Sequence, residues 1–231
     1  IATSNYEEPL CTHADHFDTN WAYGTASYSK GVVILDQLSH IVGQKVIDKS
    51  LKRYFDEWAY KHPNASDFKR IVEKESGIEL DWYFEYFVNT TKTIDYSIHE
   101  IMGDEKGTQI LLKKGEMPMP VEFNIVLRNG TVLTYYIPTV LMRGEKEVEP
   151  NTKILSDWAW TNPYYSIRLD QVPSEIKEIQ LHTTGHIADI EPLNDRVKMP
   201  DNWEWKKYKL RLNLLEKKKK GKIKKFVKIK K

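Results

Sequence analysis

The period of the apolar residues changes near residue 93, and that change sets what this chain can fold into. Before it, Val32, Leu35, Leu38 and Ile41 recur at helical spacing, as do Val46, Ile47, Leu51, Tyr54, Phe55 and Trp58. Gly43 divides these two helices, Pro63 with Asn64 and Ser66 closes the second and opens a third, and Gly77 stops that third helix after DFKRIVEKES. A short fourth helix, from about Asp81 to Val88, carries Trp82, Tyr83, Phe84, Tyr86 and Phe87. Tight connections of this kind predict an antiparallel helical bundle. After NTTKT the pattern becomes short alternating runs, IDYSIHEI, TQILLKK, VEFNIVL, VLTYYIP, YYSIRLD and IKEIQLH. Six or more strands over about 100 residues predict a β-sandwich of immunoglobulin-like size. Asn129-Gly130, between two of the runs, predicts a two-residue hairpin. The expected class is α+β, with a helical bundle over residues 1–93, a β-sandwich over 94–195 and a basic extension over 196–231. Trp158, Trp160, Tyr164 and Tyr165 are expected in the core and corners of the sandwich.

Composition narrows the function. At 231 residues with 40% hydrophobic content the chain can bury one good core or two modest ones. No apolar run approaches the roughly 20 residues that span a bilayer. Cys11 is the single cysteine, so there is no internal disulfide and no Cys/His zinc-finger spacing. The first residue is Ile1, with no basic-then-apolar signal segment after it, and the expectation is a processed product or a piece of something longer. From Lys206 onward 14 Lys and Arg face one acid, Glu216, whereas the preceding residues carry an acidic excess. Such a block reads first as a solvated tail and second as an attachment to an acidic surface. Nucleic acid is not an expected partner, because Phe226 is the only aromatic after Tyr208 available to stack on bases.

No H-E-x-x-H, G-x-S-x-G, P-loop or Gly-rich dinucleotide turn occurs. THADHFD gathers His13, Asp15, His16 and Asp18, but without supporting groups it reads as a polar loop before it reads as a metal site. The remaining feature is WAYGTASYSKGVVILDQLSHIVG, residues 21–43, which sets Tyr23 and Tyr28 five residues apart at the mouth of an amphipathic helix, with Gly24 and Gly31 around them.

Tyr28-Ser29-Lys30-Gly31 with VVILDQLSHIVG, followed by LKRYFDEWAYKHPNASDFKRIVEKESGIELDWYFEYFVN, resembles the part of the gluzincin aminopeptidases that follows their zinc site. This is the family of membrane alanyl aminopeptidase and leukotriene hydrolase. The ordered set carries the resemblance: a Tyr-x-Lys-Gly turn, a helix ending in Gly, an aromatic-ended amphipathic helix, a helix closing in Ser-Gly, and an aromatic run. It covers residues 20–93 strongly and the strands after them more weakly.

The resemblance implies that residues 1–93 form the C-terminal half of a thermolysin-like catalytic domain. It implies that Tyr28 donates a hydrogen bond to the oxyanion of a tetrahedral intermediate and that Tyr23 lines the substrate cleft. The family's zinc ligands and catalytic glutamate precede the tyrosine, so zinc is expected in the intact protein and none on this chain, which alone should be inactive. The implied partners are a peptide substrate and the zinc-bearing half. The alternatives are a non-catalytic scaffold of the same fold or a binding module, and for each tyrosine a ring packed locally at a helix start. Resemblance to exported bacterial members leans localisation toward the periplasm or the exterior.

Overall fold

The computed structural model describes residues 7–201 and, for the backbone alone, the short strand Leu210–Arg211. The Lys-rich tail singled out by its charge lies outside the described residues, the backbone of that strand excepted.

Five α-helical segments come first: α1 (Asn20–Gly24), α2 (Gly31–Val42), α3 (Gln44–Trp58), α4 (Ala65–Ser76) and α5 (Asp81–Tyr83). Their ends follow the sequence signals. Thr19 caps α1, its hydroxyl accepting from the Ala22 N–H at 3.0 Å. Asn64 and Asp67 form a reciprocal capping box at α4, and Gly77 ends it at φ +70°, its N–H donating to the Glu73 carbonyl at 2.8 Å. Two joints differ from expectation. Gly24 and Gly31 are ordinary right-handed helical residues, so α1 and α2 are continuous through a π-helical turn, Thr25–Lys30. The aromatic run likewise continues α5 as a π-helical turn, Phe84–Val88. Tyr28 therefore sits inside a long helix and not at its mouth.

Among the described residues nine strands follow: β1 (Tyr96–Asp104), β2 (Gly107–Lys114), β3 (Val121–Leu127), β4 (Val132–Ile137), β5 (Thr152–Ile154), β6 (Tyr164–Leu169), β7 (Ile176–Leu181), β8 (Arg196–Lys198) and β9 (Leu210–Arg211). They form two sheets, in the orders β6-β2-β1-β9 and β5-β4-β3-β7-β8. Pairing is antiparallel except for β4 with β5. The molecule is thus mixed α and β, helices then two sheets.

The β3–β4 connection is a three-residue loop and not the expected two-residue one. Gly130 donates to the Leu127 carbonyl and Leu127 to the Thr131 carbonyl, and Gly130 alone takes positive φ, at +89°. Of the four expected core aromatics, Trp158 is buried and Tyr165 packs against it at 5.2 Å, while Trp160 and Tyr164 are exposed.

Alternation on β3 buries Val121, Phe123 and Ile125, and Phe123 stacks on Tyr135 of β4 at 4.9 Å. One apolar cluster joins these to residues of α2, α3 and α4 without a break at residue 93. Polar contacts cross the same boundary. Buried His40 of α2 donates from Nε2 to the Pro120 carbonyl at 3.4 Å, and its own carbonyl accepts from Lys146, which pairs with Glu122 of β3 at 2.5 Å.

Burial first, then the nearby Lys146 ammonium, holds the His40 imidazole down to about 3, with His186 adding to the fall and Asp36 opposing it. An unfolded histidine takes its proton near 6.5. Below that pH the unfolded chain binds a proton that the folded chain refuses, so stability is full above about 6.5 and falls as pH drops toward 3. The melting temperature should decline over that window, and His40→Gln should reduce the slope. An unchanged slope in the variant would remove His40 from acid unfolding.

Candidate active site

Tyr28 stands in the π-helical turn with its ring 72% exposed. Tyr23, in α1, is also exposed and meets Phe17 edge-on at 5.5 Å. In a plain α-helix, five residues put two side chains about 140° apart around the axis. A turn built on i→i+5 hydrogen bonds narrows that angle and brings the two tyrosines toward one face. From Tyr28 the exposed surface continues along α2 through Val32 and Leu35, with Trp21 exposed upstream. The helical repeat of Val32, Leu35, Leu38 and Ile41 is therefore divided, its second half buried and its first half turned outward with the tyrosine.

Two residues after Tyr28, Lys30 points the other way and is only 6% exposed. Its ammonium donates to Glu7 Oε1 at 3.0 Å and to the Thr90 carbonyl at 3.1 Å, and lies 5.2 Å from the centre of the Phe87 ring. The lysine of Tyr-x-Lys-Gly thus joins the turn to the amino-terminal segment and to the end of the aromatic run. A cavity of about 350 Å3 opens beside it, lined among others by Ser29, Lys30, Phe87, Ile94 and Asp189. Tyr28 is not part of that lining. Beneath it, Tyr83 is wholly buried, stacked on Phe87 at 5.6 Å, and donates to the Ile34 carbonyl or Gln37.

The THADHFD segment behaves as a polar loop. His13 accepts from the Asp15 N–H, their side chains are exposed at 3.8 Å, and the Asp18 N–H turns to Glu8. Among the described residues the group able to hold a metal ion is instead His182, Asp189 and Asp195. Sequence reading passed over those three, as they follow no periodic spacing, and it gave Lys30 no role of its own.

Residues 2–87 match the peptidase family M1 domain. Aminopeptidase B of Rattus norvegicus is 29% identical over 148 residues, covering 63% of this chain and 18% of that protein. Leucine aminopeptidase 2 of Pyricularia oryzae is 35% identical over 60 residues, 26% of this chain and 10% of that one. In fold, the chain is similar to the crystal structure of Legionella pneumophila aminopeptidase A in complex with aspartic acid. The TM-score is 0.51 at 11% identity, over 73% of this chain and 18% of that one. The chain spans less than a fifth of the length of each. The match of residues 2–87 to one domain model and the alignments to two aminopeptidases agree with the Tyr-x-Lys-Gly pattern: over its helical region the chain is similar to aminopeptidases and to the peptidase family M1 domain.

Proposed function

We propose that this chain is part of a zinc-dependent aminopeptidase and that Tyr28 is its oxyanion donor. In this reading residues 1–93 are the C-terminal half of a thermolysin-like catalytic domain and residues 94–195 an immunoglobulin-like β-sandwich, with the basic extension beginning later than residue 196, since Arg196–Lys198 form β8 of the sheet. The single observation that carries it is Tyr28 itself, a phenol left 72% exposed on a π-helical turn whose next turn is fixed by a buried ion pair. A tyrosine that served only packing would bury its ring, as Tyr83 does.

The residues described here do not fit the catalytic zinc of such an enzyme. That metal needs two histidines and a glutamate, and the metal-capable group among the described residues has one histidine and two aspartates. Zinc, held elsewhere in the whole protein, would polarise the scissile carbonyl and activate water. This chain's own contribution is narrower. Tyr28 offers an uncharged O–H toward negative charge that develops on the carbonyl oxygen, so the bond is strongest in the transition state. Tyr23 lines the cleft of the peptide substrate. The outward apolar stripe of Tyr28, Val32 and Leu35, together with Trp21, suits cover by the zinc-bearing part of the catalytic domain.

In the whole enzyme, Tyr28→Phe should lower kcat by roughly 10²-fold or more at unchanged zinc content. A near-normal kcat would take Tyr28 out of the mechanism. Lys30→Met leaves the Glu7 carboxylate, 13% exposed, without its partner and should cost about 3–5 kcal/mol of stability, read by chemical denaturation. A loss under 1 kcal/mol would mean that the pair does not hold the turn.

A further inference from the structure

We propose that His182, Asp189 and Asp195 bind a divalent transition cation, zinc or manganese in kind. One ligand atom from each of the three lies within 4.8 Å of the others. Twice a zinc–ligand distance of about 2.0–2.2 Å exceeds the 3.9 Å between His182 Nε2 and Asp189 Oδ2, so one ion can touch both atoms. Around a tetrahedral zinc, ligand atoms lie about 3.4 Å apart. Binding therefore draws the widest pair together by at most roughly 1.4 Å, a matter of side-chain torsion.

The histidine is the independent sign of a ligand. Its side chain is 5% exposed, it follows β7 at φ +50°, and neither ring nitrogen has a hydrogen-bond partner. A buried imidazole ordinarily donates from one nitrogen and accepts at the other, and one that does neither has a reason to be there. The ring meets Tyr96 edge-on at 5.5 Å, which fixes its plane without satisfying it.

The carboxylates are arranged as ligands are. Asp189, with its side chain 3% exposed, accepts from the Tyr96 N–H at Oδ2 and from the Glu191 N–H at Oδ1. Each oxygen keeps a further lone pair, and backbone donors hold it in place. Asp195 is 7% exposed, and its Oδ1 has no partner; nor has Oδ1 of the adjacent Asn194.

The charged surroundings of the two carboxylates are acidic, while His40 and Glu122 bear on the His182 ring. Besides one another, the charged groups that bear on Asp189 and Asp195 are Asp95 and Glu191. Protons alone could neutralise the carboxyls, but they would leave both His182 nitrogens idle. A cation uses the imidazole and both carboxylates at once. Asp189 also lines the 350 Å3 cavity beside Lys30, which gives the ion a way in.

Bound there, the ion joins the end of β7 to the start of β8 and to the segment leading into β1, where Ile94 bridges Asp189 and Ile190 donates to the Ile94 carbonyl. The same loop carries His186 to Asp36 of α2 at 2.8 Å. The site is structural, fastening the loop on which the helices rest.

The test is metal analysis and thermal melting of the full-length protein, stripped with chelator and then given Zn²⁺, Mn²⁺, Ca²⁺ or Mg²⁺ in turn. His182→Ala and Asp195→Asn should each lose one bound zinc or manganese equivalent per chain and the corresponding rise in melting temperature, with any other bound metal retained. Asp195→Asn keeps the shape of the side chain and remains informative if His182→Ala does not fold. Unchanged metal content and an unchanged metal-induced shift in Asp195→Asn would overturn the site and leave protons as its occupants. A response confined to Ca²⁺ or Mg²⁺ would overturn the assignment of a transition cation.

Discussion

The buried ammonium of Lys30 is the constraint on which the rest of the arrangement depends. A cation taken out of water must be given partners, and Lys30 has three of different kinds: the Glu7 carboxylate, the Thr90 carbonyl and the face of Phe87. They come from the segment before the long helix and from the aromatic run that ends the helical region. Reaching them fixes the rotation of the π-helical turn about the helix axis. Because Lys30 points inward, Tyr28 two residues before it is carried outward, where its phenol meets solvent.

The turn is also placed from the other side. Its helix continues into α2, whose last turn is tied to the sheets by His40, Lys146 and Glu122, and the Glu79 N–H bonds the Met142 carbonyl. These polar links sit within the apolar cluster that runs from Ile34 to Met199. The backbone that carries Tyr28 is thereby held in place, which limits what a donor at that position would have to reorganise.

The sequence was most legible where one local rule decides. The helix start at Asn64, the stop at Gly77 and the alternation of VEFNIVL are all visible in short stretches, and the structure has a helix start, a helix end and a strand at those places, the start formed as a capping box with Asp67. Legibility failed where a distant contact decides. Nothing in TASYSK announces an i→i+5 turn, and the partners of its Lys30, Glu7 and Thr90, lie far from it in sequence. Strands β5 and β8 are three residues each, too short for a periodic signal. Asn129-Gly130 was read as a two-residue turn, but Asn129 keeps a negative φ and the loop takes one residue more. The packing habit of aromatics in small sandwiches places Trp160 and Tyr164 in the core or corners, yet both are exposed. His182, Asp189 and Asp195 are joined by the ends of β7 and β8, which no local pattern records.

A structure of the whole protein with a tetrahedral transition-state analogue in its active site tests the central claim most directly, because it measures where the Tyr28 phenol goes. The expected result is the Tyr28 phenol oxygen about 2.7–3.1 Å from the analogue's oxygen, with Lys30 still paired to Glu7. A phenol that remains turned to solvent, with another donor at that oxygen, would contradict it.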